Sequence, residues 1–181
     1  IPQVVAPGGL DLINFGPKNT VPERLLKETD QPGRGLYEHN PTVTCIGVSM
    51  DEAYRIGEHM AEKLNRAKGP SVLCVPMRGW GACDLATPDI KLGWSGPGPG
   101  PVWAPDEQNP QWSRRSVRYV KALRDKIDPN KENLEVILVD RHMNEPEFAD
   151  LLAELLLEML NGTWVKGNKS GHPDVIPFEN F

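Results

Sequence analysis

The chain has 181 residues, which is the size of one domain, or of one domain with an appendage. Hydrophobic residues make up 39% of it and charged residues 25%, and these proportions exclude a membrane protein and a disordered chain. The 20 basic and 25 acidic residues give a net charge of −5, which argues against nucleic acid as a partner. Three cysteines without a CxxC pair, in a chain with no recognisable secretory leader, indicate reduced thiols and a cytoplasmic protein.

The chain alternates apolar strand-like runs with amphipathic helix-like runs, and the first such unit begins at residue 42. Residues 42–48 (TVTCIGV) are β-branched and apolar, as in a strand that is buried on both faces. Ser49 and Glu52 form an S-x-x-E capping box, and apolar residues then recur with helical spacing as far as Leu64. The sequence therefore predicts a strand followed directly by a helix.

Two further units follow. Residues 71–76 (SVLCVP) form a second strand-like run, and a helical stripe near residues 112–127 comes after a long interruption. Residues 134–139 (LEVILV) form a third, followed by a helix that begins at Pro146 and ends at Asn161. Because neighbouring parallel strands need a crossover, the pattern predicts an α/β fold, a Rossmann-like parallel sheet flanked by helices. We assign residues 1–165 to this domain and expect residues 166–181 to be a C-terminal tail without regular structure.

The interruption, at about residues 85–111, is an insertion rich in Pro, Gly and Trp. Its central run, GPGPGP at residues 96–101, can form neither a helix nor a central strand. Four of the five tryptophans lie in or beside it, namely Trp80, Trp94, Trp103 and Trp112. Two interpretations stay open. The insertion is either an arm that lays these rings on a neighbouring molecule, giving a homo-oligomer, or a loop that folds over its own domain.

Ligands of open α/β sheets bind beyond the carboxyl ends of the strands, so the loops that follow strands are the candidate site. The first such loop contains Gly8 and Gly9, whose backbone amides can approach an anion closely, and Asn14 lies further along it. The chain has no G-x-G-x-x-G and no G-K-[ST] motif, so neither standard phosphate fingerprint is present. We predict Gly8, Gly9 and Asn14 as ligand-binding residues.

The loop after residues 71–76 carries Arg78 and Gly79, and Asp84 follows shortly. We predict that Arg78 grips a phosphate or carboxylate with its guanidinium and that Gly79 lies in the same site. The alternative is a pair between Arg78 and Asp84 that only shapes the loop. Cys83 has no adjacent histidine to activate it, so we expect a plain buried thiol.

The loop after residues 134–139 places Asp140, His142 and Asn144 between a strand and a helix. His142 is a candidate general acid or base, oriented by Asp140 or assisted by Asp84, in a hydrolase or a carbon–carbon lyase. The alternative is a histidine that only satisfies backbone groups, with Asn144 capping the helix. We predict no metal site, because no two histidines have i, i+4 spacing and no carboxylate cluster accompanies them.

His39 and Asn40 precede the strand predicted at residues 42–48, at the end of the sheet opposite the three loops. This position conflicts with a single site. They are candidate ligand-binding residues if that strand begins later than predicted, and otherwise they serve a second surface.

Five short motifs lie in order along the chain: GLDLINFG at residues 9–16, HNP at 39–41, KLNRAKGP at 63–70, Arg78 with Gly79, and NEPEFA at 144–149. Together they resemble the C-terminal half of the Tm-one-like ATP-binding domain family, an uncharacterised protein family typified by the plant tobamovirus-resistance protein. Members have two Rossmann-like halves, so the resemblance implies a missing N-terminal domain and nucleotide binding, with ATP as the candidate cofactor. It also favours a functional role for Arg78, Asp84, His142 and Asn144.

The chain departs from the family after Asp84, where the insertion replaces a short turn and leaves one wall of the pocket undefined. Our leading hypothesis is a domain that binds a nucleotide or another small phosphorylated or carboxylated molecule. The alternatives are an acid–base enzyme that uses His142, and an interaction module that uses the tryptophans.

Overall fold

The computed structural model describes residues 1–181, apart from the side chain of Asn180. The first half contains β1 (Gln3–Val5), β2 (Leu12–Phe15), α1 (Glu23–Leu26), β3 (Leu36–Asn40), β4 (Val43–Gly47) and α2 (Met50–Asn65). The second half contains β5 (Ser71–Pro76), α3 (Arg114–Lys126), β6 (Leu134–Val139), α4 (Pro146–Leu160) and β7 (Val175–Pro177). Short 3-10 turns lie at Lys18–Thr20, Ile90–Leu92 and Phe178–Asn180.

A central sheet carries the main core. Its strand order is β1-β5-β6-β7, with β1, β5 and β6 parallel and β7 antiparallel to β6. Helices α2 and α3 pack together on one face of it, and α4 packs on the other face against β1 and β5. The prediction of an α/β fold with a mostly parallel sheet flanked by helices is confirmed.

The strand predicted at residues 42–48 belongs to a different sheet from the one expected. It is β4, the centre of a three-stranded antiparallel sheet in the order β2-β4-β3. The first predicted unit is therefore wrong in its pairing. The reason is physical: four of the five β4 residues are buried, and an apolar β-branched run suits any strand covered on both faces, whether parallel or antiparallel.

The helices begin where the sequence indicated. The Ser49 side chain accepts a hydrogen bond from the Glu52 amide while the Glu52 carboxylate accepts one from the Ser49 amide, so the predicted capping box is confirmed. Pro146 occupies the first turn of α4. Among the described residues, no helix combines the length and the apolar character that crossing a bilayer requires.

The segment expected as an unstructured tail contains a strand. β7 pairs with β6, and the Asp140 amide donates to the Asp174 carbonyl at 2.8 Å just beyond that pairing. The expectation of a structureless tail is wrong for residues 175–177. Three residues are too few for a periodic signal, and tertiary pairing rather than local propensity fixes them as a strand.

The insertion folds over its own domain. Val102 is fully buried, and its amide donates to the Cys83 carbonyl at 3.1 Å, while the Gly100 amide donates to the Leu85 carbonyl at 2.8 Å. Trp94 packs edge-on against Tyr37 with 5.7 Å between ring centroids. The arm interpretation is therefore wrong for residues 100–104, which are pinned to this domain, and the homo-oligomer stays a prediction.

Gly57 allows α2 and α3 to approach closely, so Gly57→Ala is expected to lower stability. A Cβ at position 57 would lie 2.7 Å from the Tyr119 carbonyl oxygen and 2.8 Å from the Ala122 Cβ. We expect a loss of about 1–3 kcal/mol from overpacking, which outweighs the gain of about 1 kcal/mol in helix propensity. Urea unfolding measures the difference.

Gly171→Ala is the matched control, since a Cβ there meets nothing within 4 Å, and its unfolding free energy should change by less than about 0.5 kcal/mol. A Gly57→Ala variant as stable as the parent would contradict this account of helix packing.

Candidate functional site

The loops that follow β1, β5 and β6 meet at the carboxyl edge of the central sheet. A Cβ at Gly8 would lie 3.4 Å from the Met143 sulfur, and one at Gly93 would lie 2.8 Å from the Ala82 Cβ and 3.9 Å from the Asn144 amide nitrogen. We call this surface the rim and define it by Gly8, Gly9, Gly81, Ala82, Met143 and Asn144. It follows the rule that open α/β sheets present ligand sites at their strand carboxyl ends.

Gly8 and Gly9 present free backbone donors at the rim. Both are exposed, and Gly9 has a φ of 70°, a left-handed conformation that glycine adopts without steric cost. A Cβ at Gly9 would meet nothing within 4 Å, so the turn opens outward. Among the described residues, neither amide has a hydrogen-bond acceptor. Both amides are therefore free to donate, and anion binding by Gly8 and Gly9 stays a prediction.

Asn144 connects the rim to the insertion. Its side-chain nitrogen donates to the Leu92 carbonyl at 2.8 Å. The N-cap of α4 is Glu145, without a side-chain capping bond, so the interpretation of Asn144 as a helix cap is wrong. The helix begins one residue later than that interpretation requires, which leaves the Asn144 amide free to hold residues 92–93 beside the rim. The insertion thus supplies the wall that the sequence left undefined.

Arg78 pairs with Asp140 and not with Asp84. Its Nε and terminal nitrogen donate to the two Asp140 oxygens at 2.9 and 2.8 Å, and Trp112 Nε1 donates to the same carboxylate at 2.9 Å. The hydrogen bonds from Arg78 lower the pKa of Asp140 below its ordinary value. They outweigh burial, which acts to raise that pKa. Asp140 therefore does not orient His142. The Arg78 side chain is 39% exposed. Anion binding by Arg78 stays a prediction, and an anion would have to compete with Asp140 for the guanidinium.

His142 is only 1% exposed, and both ring nitrogens face backbone groups. Nδ1 accepts a hydrogen bond from the Asn144 amide at 3.1 Å, and Nε2 lies 3.2 Å from the Gly81 carbonyl oxygen. This is the arrangement of a histidine that ties two loops together. The acid–base role stays a prediction, and the geometry of His142 gives it no support.

Asp84 lies in a closed ionic cluster with Arg115, a residue that the sequence analysis missed. One Asp84 oxygen lies 3.0 Å from an Arg115 guanidinium nitrogen, and neither side chain is exposed. Ser113 Oγ donates to Asp84 at 2.9 Å, and the Trp80 amide donates at 3.3 Å. Arg115 lies in a basic stretch of α3 that resembles a solvated helix face, and it is recognisable as buried only from the packing. Asp84 was predicted to assist His142 in catalysis, and its complete burial gives that role no support.

Asp11 is a second residue that the sequence analysis did not single out. Its carboxyl group is 3% exposed, and one oxygen has no hydrogen-bond partner among the described residues. That oxygen would lie 2.7 Å from a Cβ at Gly81, directly beneath the rim. Burial, followed by the nearby Asp84 charge, raises the pKa of Asp11. The available signal was its position eight residues after β1 begins, in the same loop as Gly8 and Gly9.

The thiol next to this carboxyl is not activated. Burial, followed by Asp11, raises the pKa of Cys83 to about 11. The expectation that Cys83 is a plain buried thiol is confirmed.

Three predicted ligand residues lie on strands of the second sheet, Asn14 on β2 and His39 and Asn40 on β3. Asn14 accepts a hydrogen bond from the Cys45 thiol at 3.0 Å, and Asn40 accepts one from the Thr42 amide at 2.9 Å, which shapes the β3–β4 turn. His39 is exposed on β3, with its ring 5.9 Å from that of Tyr37. Tyr37 in turn packs against Trp94, which follows Gly93 beside the rim. Ligand binding by Asn14, His39 and Asn40, whether at the rim or at a second surface, stays a prediction.

Gly79 is buried in the loop that also carries Gly81 and Ala82. Its φ is 132°, and a Cβ there would lie 1.9 Å from the Asp84 carbonyl oxygen and 2.8 Å from the His142 ring. Its carbonyl accepts from the Met143 amide at 3.0 Å. Gly79 therefore lets two loops touch, and direct ligand contact by it stays a prediction.

Three cavities lie away from the rim, one of them of about 460 Å³ beside Glu28 and Glu52. One of about 470 Å³ is beside β6 and β7 and is lined in part by Glu135, Lys166 and Phe178. Another of about 590 Å³ lies against Trp112 and Arg114. Within the part of the chain that the structure describes, no three His, Cys, Asp or Glu side chains are grouped so as to hold a metal ion.

Residues 1–91 match the model of the "Uncharacterised protein family (UPF0261) C-terminal domain". The chain belongs to this family. It is 34% identical over 160 residues to a UPF0261 protein of Clostridium tetani, covering 88% of this chain and 33% of that protein. It is 29% identical over 180 residues to the ToMV resistance protein Tm-1(GCR237) of Solanum lycopersicum, covering 99% of this chain and 19% of that protein.

A UPF0261 protein of Mesorhizobium japonicum is 32% identical over 157 residues, covering 86% of this chain and 32% of that protein. The chain therefore spans a third or less of the length of these curated relatives. The family resemblance drawn from the five motifs is confirmed.

Asp11→Asn is expected to raise stability at neutral pH and to lose that advantage in acid. The folded state disfavours the ionised Asp11 carboxylate, so the parent loses stability as pH rises through the raised folded pKa. An amide carries no charge to desolvate, and we expect a gain of about 1 kcal/mol at pH 7, the size of one unsatisfied buried polar group. The gain should vanish once pH falls below the unfolded pKa of 3.8.

Urea unfolding between pH 3.5 and 8 measures this difference, with Asp30→Asn at an exposed position as the control. A gain that is independent of pH would show that it does not come from the charge of Asp11, and a loss at pH 7 would show that the fold stabilises the ionised carboxylate; either result contradicts this account.

Proposed function

We propose that this domain binds a small phosphorylated or carboxylated molecule, with a nucleotide as one candidate, at the rim. The observation that carries the proposal is the outward-facing Gly8–Gly9 turn, whose two amides have no acceptor among the described residues. Consecutive free amides in a glycine turn form a concave donor site that suits a carboxylate or a phosphate oxygen. Asn144 and the insertion bound this turn on the opposite side.

The donor set favours a ligand with modest negative charge. The six residues that define the rim include no Lys or Arg, and the predicted anion contact Arg78 is held by Asp140. Backbone amides stabilise an anion through dipoles and not through a full opposite charge. A carboxylate or a single phosphate group fits this set best. ATP remains among the ligands to test because the family resemblance implies it.

Two features of the setting belong to the same proposal. The family model describes a C-terminal domain, which supports an N-terminal domain as a partner in the whole protein. The three cysteines are free and buried, which supports the predicted reducing, cytoplasmic environment.

The proposal is tested by thermal unfolding and isothermal titration with AMP, ATP, inorganic phosphate and citrate. A ligand at 100 times its Kd should stabilise the fold by about 2.7 kcal/mol. Gly9→Ala should weaken that ligand at least about tenfold, because the alanine strains the left-handed turn and places a methyl group over the donor site.

Gly162→Ala is the matched control, because Gly162 has a φ of 71° and equally open surroundings but lies after α4. Both variants should lose about 1–2 kcal/mol of stability from backbone strain, while only Gly9→Ala should lose affinity. No stabilisation by any of these ligands, or equal affinity in the two variants, would contradict the proposal. Affinity lost only in Arg78→Ala would place the site at Arg78 instead of the glycine turn.

A further inference from the structure

Helix α4 is apolar over more of its surface than it buries. Its buried face is formed by Phe148, Leu151, Leu155 and Met159. Beside that face, Leu156, Leu157 and Leu160 are 38%, 58% and 64% exposed. At 3.6 residues per turn, these three form one continuous band with Ala149, Leu152 and Ala153. We call this band the leucine stripe.

The leucine stripe faces the β1 end of the sheet. The acidic side of α4 carries Glu154 and Glu158, and both bind Lys169 at 2.7 Å. Lys169 lies in the segment that leads to β7, at the end of the sheet opposite β1. The acidic side and the leucine stripe lie on opposite flanks of the buried face of α4. Since the acidic side faces β7, the leucine stripe faces β1.

The edge of β1 is free along the same side of the molecule. β1 is the terminal strand, pairs only with β5, and contacts α4. Val4 packs in the α4 core and Val5 in the core on the opposite face, yet both are only half-buried. An unpaired strand edge with apolar residues on both sides is a template for another strand.

We propose that the β1 edge and the leucine stripe form one docking surface for the polypeptide that lies outside the matched part of the longer UPF0261 proteins. The occupant adds a strand to β1 and packs an apolar helix beside α4. This inference is independent of ligand binding at the rim. The lengths of the relatives support it. This chain covers 33%, 32% and 19% of three of them, so at least 67% of each relative lies outside the match.

Charge argues against a second copy of this chain as the occupant. α4 contains four acidic residues and no Lys or Arg, and since Glu154 and Glu158 bind Lys169, the acidic side chains left without an ion-pair partner among the described residues are Glu147 and Asp150. Two α4 helices packed through their leucine stripes would bring acidic borders together, which is unfavourable. An occupying helix with Lys or Arg beside its apolar face would be complementary, so the partner chemistry is a strand and a helix with basic borders.

The test joins the whole chain to the part of the Clostridium tetani relative outside the match, and compares amide hydrogen exchange with that of the chain alone. The proposal predicts at least about tenfold slower exchange in β1 and α4 of the joined protein, because paired strand amides open less often. Leu157→Glu should return those rates to the values of the chain alone. The matched control is Ile90→Glu, at a position that is 78% exposed in the insertion, and it should leave the slower exchange intact.

Equal exchange in the joined protein and in the chain alone overturns the proposal. Sedimentation velocity of the chain alone gives a second, independent outcome. A dimer of the chain alone that Leu157→Glu dissociates, without slower exchange in the joined protein, identifies a second copy as the occupant and also overturns it. A Leu157→Glu chain alone that retains its melting temperature, together with slower exchange in the joined parent, supports it.

Discussion

One buried arginine on α3 connects the second sheet, the insertion and the loop after β5. Arg115 donates to the carbonyls of Gly33, Val48 and Val102 at 2.9, 3.2 and 3.3 Å, and its guanidinium faces Asp84. Gly33 lies just before β3 and Val48 just after β4 of the second sheet, Val102 lies in the insertion, and Asp84 lies in the loop after β5. A buried cation must be neutralised and hydrogen-bonded, because an unpaired charge in the interior is strongly destabilising. The second sheet and the insertion therefore have one arrangement on the central sheet that satisfies Arg115.

The rim depends on this cluster. Asp84 accepts from the Trp80 amide, and the Gly79–Gly81 turn lies against both Asp84 and Asp11. His142 then connects that turn to the loop after β6 through the Gly81 carbonyl. Residues that first suggested catalysis thus act as the frame of the surface, whereas the free donors at its edge are the Gly8 and Gly9 amides. The function that we infer uses the backbone, with side chains as its support.

Local signals in the sequence determined the elements well where they were strong. The Ser49–Glu52 capping box, the apolar runs of β5 and β6 and the proline at the start of α4 each correspond to a physical cause that acts within a few residues. The pairing of the strands was harder to predict from the sequence. β4 has the composition of a buried strand in either kind of sheet, and β7 exists only because β6 offers an edge.

The candidate site shows the same limit. The strand-end rule located the three loops and Gly8, Gly9 and Asn144. It could not show that Asp140, 62 residues from Arg78, takes that arginine, or that Arg115 rather than Arg78 neutralises Asp84. Partner choice among charged groups is decided by distances in the folded chain. A sequence lists the charges without those distances.

The most direct measurement is a double-mutant cycle between Asp84 and Arg115, using Asp84→Asn, Arg115→Met and the double variant in urea unfolding. If the buried pair anchors the second sheet, the insertion and the rim, either single variant should lose about 3–5 kcal/mol, and the double variant should lose clearly less than the sum. Additive losses, or single variants within about 0.5 kcal/mol of the parent, would show that the two groups are not coupled and that something else holds these parts together.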